Sequence, residues 1–168
     1  LRSDASDLDG FITPSKYFGE QMSGKLNLPK DRLHHLPNGI TLDGYSPSKE
    51  PSKKLSLGFL ARQCPIKGLD LLVDAYLEIM GRGNFGELEL HVAGGMTEDD
   101  EPYVEEQKKK LRSAGFIQKA FFHPNISRDS KIAFLKKLTL FSVPARFPEA
   151  FGLYVLEALA AGVPVVLP

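Results

Sequence analysis

Apolar and polar positions follow two rhythms along the 168 residues. From Leu55 onward, short apolar runs alternate with longer stretches of helical period. Leu55 to Leu60 predicts a strand, and Gly68 to Gly81 a helix with Leu71, Leu72, Ala75, Leu77 and Ile79 on its apolar side. Glu87 to Ala93 predicts a strand ended by Gly94-Gly95, and Glu101 to Ala114 a helix stopped by Gly115. The acids at the start of that helix and Lys108 to Lys110 near its end suit the helix dipole. Lys119 to Phe122 is the next expected strand, and Ser127 to Lys137 a helix with Ser127 as cap. Leu138 to Val143 is expected as a strand, Leu153 to Ala161 as a helix and Val163 to Leu167 as a strand. Such alternation implies parallel strands joined by right-handed crossovers. The expected fold class is α/β, an open parallel sheet with helices on both faces.

The first third is less regular. Phe11 to Thr13 predicts a short strand, and Ser15 caps a helix reaching about Lys25. Leu33 to Leu36 predicts a second short strand, followed by a loop at Pro37-Asn38-Gly39 because Ile40 onward does not alternate. Tyr45 to Lys54, rich in Ser, Pro and Lys, reads as an exposed connection. The Asp- and Ser-rich Leu1 to Gly10 has no signal-peptide pattern. The start without methionine, and the stop just after an apolar run, read as an excised fragment.

Composition narrows the classes. Lys plus Arg equals Asp plus Glu, 21 against 21, which disfavours a nucleic-acid partner. The single cysteine, Cys64, excludes an intramolecular disulfide and fits a reducing compartment. No stretch approaches the roughly 18 apolar residues of a membrane span. His34, His35, His91 and His123 show no metal spacing with Cys64, so no metal is expected. Gly94-Gly95 lacks the continuation of a dinucleotide fingerprint. Lys108 to Lys110 reads as a solvated helix face, and Phe121, Phe122, Phe134 and Phe141 as core positions.

In open parallel sheets, ligands bind beyond the carboxyl ends of the strands. Arg62 and Lys67 follow the first regular strand, Gly94-Gly95 the second, His123-Pro124-Asn125 the third, and Arg146 and Glu149 the fourth. Lys67 at a helix start, where the dipole is positive, is misplaced unless an anion joins it. With Arg62 and free helix amides it would cradle phosphates; the alternative is two solvated surface charges. Glu157 lies in a helix apolar all round, which is usually buried, and a buried carboxylate needs donors. Those donors come either from the protein, giving a structural carboxylate, or from ligand hydroxyls. Glu149, eight positions earlier, falls in the preceding loop, where Gly152 permits close backbone approach. Amides of Phe151, Gly152 and Leu153 would face whatever Glu149 touches.

The stretch Glu149-Ala150-Phe151-Gly152 to Glu157-Ala158-Leu159-Ala160-Ala161-Gly162-Val163-Pro164-Val165-Val166 resembles the E-x7-E signature of group 1, family 4 retaining glycosyltransferases. Gly58 to Arg62 with Pro65-Ile66-Lys67-Gly68 resembles that family's Arg/Lys diphosphate loop. Thr13-Pro14-Ser15 and Pro37-Asn38-Gly39-Ile40 resemble segments joining its two lobes. The motifs occur in the family's order over most of Phe11 to Pro168.

The resemblance implies the C-terminal, donor-binding lobe of a GT-B fold, Rossmann-like and truncated. Residues 1–45 would be the inter-lobe connection and the start of the lobe, and residues 46–168 the nucleotide-sugar-binding domain. Such proteins move a sugar from a nucleotide diphosphate sugar to an acceptor hydroxyl with retention of configuration, without a bound metal or other cofactor. Arg62 and Lys67 would neutralise the diphosphate. Glu157 would hold the ribose and Glu149 the transferred sugar. The amides of Phe151, Gly152 and Leu153 would meet sugar and phosphate. Gly94 and the loop around His123 to Ile126 would lie by the donor, with Pro124 where the family commonly has Gly. The acceptor, a glycan, lipid or small molecule, would sit on the N-terminal lobe, in a cytoplasmic protein that works at the membrane surface. Two other readings stand beside this one. One is a module that binds nucleotide sugar without turnover. The other is a GT-B epimerase or phosphorylase, although no segment matches a phosphorylase's cofactor lysine.

Overall fold

The computed structural model describes residues 7–48 and 54–168. Residues 1–6 of the N-terminal segment and residues 49–53 of the expected connection lie outside the described residues. The chain divides into two units, Leu1–Thr41 with Pro148–Leu153, and Leu42–Phe147 with Tyr154–Pro168.

In the first unit, β1 (Phe11–Thr13) pairs in parallel with β2 (Leu33–His35), Phe11 opposite Leu33. Between them runs α1 (Lys16–Leu26). Ser15 caps α1 as expected, accepting from the Phe18 amide at 3.1 Å. Its hydroxyl also donates to the Ala150 carbonyl at 2.7 Å, which ties the segment 148–153 to the start of this helix.

The second unit holds a parallel sheet of five strands in the order β5-β4-β3-β6-β7. These are β3 (Ser56–Leu60), β4 (Glu89–Gly94), β5 (Ala120–Pro124), β6 (Leu140–Ser142) and β7 (Val165–Val166). The helices are α2 (Leu69–Gly81), α3 (Glu101–Ser113), α4 (Arg128–Leu135) and α5 (Leu153–Ala160), the last beginning one residue before this unit. The chain steps outward from β3 to β5, then returns across the sheet to β6. With right-handed crossovers this places α2 and α3 on one face and α4 and α5 on the other. The point where strand order reverses, between β3 and β6, is where such sheets bind ligands.

The core follows from this layering. All five residues of β3, the central strand, are buried. Phe59, Tyr76, Leu90, Leu111 and Phe141 are fully buried around it. The Tyr76 hydroxyl, carried inward, donates to the Leu88 carbonyl at 2.9 Å. A Cβ at Gly58 would overlap the Leu138 side chain, so this glycine lets Leu138 lie flat against β3.

Four expectations from the pattern need correction. Strands β4 and β6 begin later than their apolar runs: Glu87 lies in a turn, and Leu138 and Thr139 precede β6. There the Ser56 amide donates to the Thr139 hydroxyl at 2.8 Å, so a side chain stands in for a ladder acceptor, while the Thr139 amide still reaches the Ser56 carbonyl at 3.1 Å. Helix α5 is not buried all round, since Leu153 and Leu159 are 42% and 55% exposed. Phe121 is exposed because it sits on the edge strand β5, while Phe134 and Phe141 are buried. Two lysines of the α3 run are paired rather than merely solvated: Lys110 meets Asp74 of α2 at 2.9 Å, and Lys108 meets Glu105 at 2.6 Å, while Lys109 is exposed as expected.

Candidate functional site

The carboxyl ends of β3, β4, β5 and β6 in the second unit form one connected rim. The Gln63 amide donates to the Gly95 carbonyl at 2.8 Å, and the Asn125 amide to the Gly94 carbonyl at 2.9 Å. Asn125 also clasps Met96, accepting from its amide and donating to its carbonyl, both at 2.9 Å. The loops after β3, β4 and β5 thus brace one another. Gly94 has φ +126°, and a Cβ there would overlap the Ala61 carbonyl. Only a residue without a side chain lets the two loops come this close.

Lys67 ends a short 3-10 turn, Pro65–Lys67, one residue ahead of the α2 cap, rather than standing in the helix itself. Gly68, with φ +73°, caps α2 and packs its backbone against Pro144 beyond β6. The Arg146 amide donates to the Ile66 carbonyl at 2.9 Å, and its Nη1 to the Pro65 carbonyl at 2.6 Å. The guanidinium also grips Asp70 at 2.7 and 2.5 Å, and Tyr103 donates to Asp70 at 2.7 Å. The turn that carries Lys67 is therefore fixed to the end of β6, at the switch point. The Lys67 Nζ stands 5.8 Å from the centre of the Tyr154 ring. Tyr154 and Glu157 are one turn apart on α5 and so share a face.

Arg62 is paired. Its Nε and Nη2 donate to Asp100, each at 3.1 Å. Glu157 has protein donors as well: Lys131 at 2.5 Å, and the Tyr45 hydroxyl. Burial, with Glu157 beside it, raises the Tyr45 phenol above its ordinary range. His123 turns its imidazole onto the sheet face under α4. There it lines a cavity of about 410 Å³ with His91, Phe121, Ile126 and Phe134. Burial, with His91 and Lys137 nearby, lowers its pKa and favours the neutral ring.

Arg62, Lys67, Gly94, His123 and Glu157 all belong to this second unit. Glu149, Phe151, Gly152 and Leu153 belong to the first. Glu149 lies in the loop before α5, as expected, and Gly152 has φ +82°. Arg146 follows β6, as expected, but its partners Asp70 and Tyr103, and likewise Asp100, Lys131 and Tyr45, were not singled out as site residues from sequence. For Asp100 a signal existed: Thr97-x-x-Asp100 forms a capping box in which the Thr97 amide donates back to the carboxylate at 3.0 Å. Among the described residues, no three His, Cys, Asp or Glu side chains gather as a metal site. No described helix is long and apolar enough to cross a membrane.

The ion pairs give the fold an acid limit. The Arg62 guanidinium, then the Thr97 amide, hold the Asp100 carboxyl down at about 2. Arg146 likewise lowers Asp70 well below the carboxylate range. A group depressed in the folded state contributes stability that is fully present above its unfolded pKa, near 4, and is lost as pH falls through the folded value. Urea midpoints are therefore expected to decline gently from about pH 7 to 5, because His123 with its lowered pKa takes up a proton more readily in the unfolded chain, and to fall more steeply from about pH 4 toward 2. Asp70→Asn should start lower and fall less steeply; an equal slope would show that this pair does not set the limit.

The chain belongs to the glycosyl transferases group 1 family, whose profile matches residues 46–167. It is 30% identical over 179 residues to the GDP-mannose-dependent alpha-(1-6)-phosphatidylinositol monomannoside mannosyltransferase of Mycobacterium tuberculosis, covering 97% of this chain and 44% of that protein. It is 26% identical over 151 residues to the mannosylfructose-phosphate synthase of Agrobacterium fabrum, covering 83% and 33%. The chain thus spans less than half the length of these relatives. Its fold matches the sucrose-phosphate synthase of Thermosynechococcus elongatus with TM-score 0.82 at 19% identity, over 99% of this chain and 42% of that one. It matches Anabaena HepE, solved in complex with UDP and glucose, with TM-score 0.80 at 18% identity, over 99% and 48%. The expected Rossmann-like lobe of a GT-B fold is the fold observed.

Proposed function

We propose that this chain is the donor-binding half of a retaining glycosyltransferase that takes its sugar from a nucleotide diphosphate sugar. One observation carries the reading: Arg62 and Lys67 stand on a single loop at the point where the strand order reverses, braced on one side by Gly94-Gly95 and on the other by Pro144 and Arg146. Ligands of open parallel sheets bind at that point, and two cations there suit a pyrophosphate. The names of the relatives support the class of donor, since one is GDP-mannose-dependent and another was solved with UDP.

In this scheme Arg62 and Lys67 neutralise the leaving diphosphate, the task a metal ion performs elsewhere. Glu157 accepts from the ribose hydroxyls, its carboxylate oriented by Lys131 and Tyr45. Glu149 contacts the transferred sugar, and the amides of Phe151, Gly152 and Leu153 meet sugar and phosphate. The acceptor hydroxyl attacks from the face the nucleotide leaves, and a donor phosphate oxygen takes its proton. The acceptor is held by a second lobe.

The test is a thermal-shift panel of UDP, GDP and ADP, each alone and with its hexose. A ligand at about 100 times its Kd stabilises the folded chain by about 2.7 kcal/mol. One nucleotide should raise the midpoint well above the other two. A panel with no response to any of the six removes the donor reading. Transfer of labelled sugar by the full-length protein then separates catalysis from binding alone.

A further inference from the structure

Arg62, the cation most exposed at the rim, is held from behind. Its side chain is 57% exposed, while that of Asp100 is 6% exposed. Asp100 has little freedom of its own. Besides Arg62 Nε, its Oδ2 accepts from the Thr97 amide at 3.0 Å and the Thr97 hydroxyl at 2.9 Å. The carboxylate is thus locked into the turn that opens α3, and the guanidinium is docked onto it side-on. A guanidinium has five N–H donors in a fixed fork. Asp100 engages Nε and one hydrogen of Nη2, which leaves three hydrogens, two of them on the Nη1–Nη2 edge. That edge matches two phosphate oxygens in a bidentate pair.

We propose that Asp100 is a positioning residue for the donor, fixing Arg62 so that its Nη1–Nη2 edge is presented to the diphosphate. The inference rests on the diphosphate reading of Arg62. Its physical basis is preorganisation: a long side chain already ordered in the free protein has less freedom to lose when the anion arrives. An opposite effect is also built in, because the charge of Asp100 repels the same anion. The two effects predict opposite signs. Positioning makes loss of Asp100 weaken binding, and repulsion alone makes it strengthen binding. The fourfold anchoring of Asp100, by two bonds from Arg62 and two from Thr97, favours positioning.

The experiment is calorimetric titration of the full chain with UDP and with inorganic pyrophosphate, in a double-mutant cycle. Asp100→Asn should weaken both ligands about tenfold, the scale of one side chain left to be ordered on binding. In an Arg62→Ala background the same change should have no further effect, since there is no guanidinium left to position. Thr97→Val keeps the Asp100 charge but removes one of its anchors. It should weaken binding about threefold, and it carries the test if Asp100→Asn folds poorly. Tighter binding by Asp100→Asn would overturn the proposal in favour of repulsion. An equal loss in both backgrounds would overturn it in favour of a purely structural role. If Arg62→Ala alone leaves pyrophosphate binding intact, the diphosphate reading itself has failed, a result distinct from the other two.

Discussion

Alanine at Arg62 and Lys67 together is expected to weaken UDP or GDP binding by about a hundred- to a thousandfold. A charge-assisted hydrogen bond to phosphate is worth about ten- to a hundredfold in affinity. Arg62 is more than half exposed, so solvent screening holds its share near the lower figure. Lys67 is less exposed, stands over the Tyr154 ring and sits directly ahead of α2. There the positive end of the helix and the ammonium act on the same anion. Lys67→Ala alone should therefore cost more affinity than Arg62→Ala alone. Removing Arg62 also strands the nearly buried Asp100 carboxylate and should lower the melting temperature of the free protein. Titration calorimetry below both midpoints separates the two effects. A double variant that binds within about twofold of the parent would show that these cations do not face the ligand.

What the sequence disclosed and what it withheld divide along physical lines. The alternation of β3 through β7 with α2 through α5 was legible because period, caps and glycine stops act over one or two turns. Ser15 and Ser127 cap the helices they were expected to cap. The rim was legible because a parallel sheet sends every strand end to one side, so Arg62, Gly94 and His123 had to fall together. The partners of the charges were not legible. Arg62 and Asp100 are 38 positions apart, Lys131 and Glu157 are 26 apart, and Arg146 and Asp70 are 76 apart. Each pairing depends on strand order and on loop lengths, which no local period encodes. The misjudged Phe121 and α5 have a similar cause. An apolar residue reports that burial is available, but its place at an edge decides how much is realised. Glu157 illustrates both sides: its need for donors was readable from an apolar helix, but Lys131 and Tyr45 as those donors were not.

The loop that carries the two cations should fail most sharply at a residue with no charge. Gly94→Ala is expected to cost about 3–5 kcal/mol, a large part of the stability of an ordinary domain. Two terms add. The backbone there has φ +126°, which L residues rarely adopt, and a new Cβ would overlap the Ala61 carbonyl, which is backbone and cannot rotate away. Relief requires β3 and β4 to part at their carboxyl ends. That would loosen the Asn125–Gly94 and Gln63–Gly95 bonds which join three loops of the rim. Gly68→Ala should behave similarly, since φ is +73° and its Cβ would overlap the Pro144 carbonyl. The neighbouring Gly95 is the control. A Cβ there meets nothing within 4 Å, so Gly95→Ala should change stability by less than about 0.5 kcal/mol. Urea unfolding of the three variants checks the ordering. Donor binding, measured under conditions where each is folded, should be lost in Gly94→Ala and Gly68→Ala and kept in Gly95→Ala. Equal behaviour of Gly94→Ala and Gly95→Ala would mean that the close approach of the two loops does not hold the rim together.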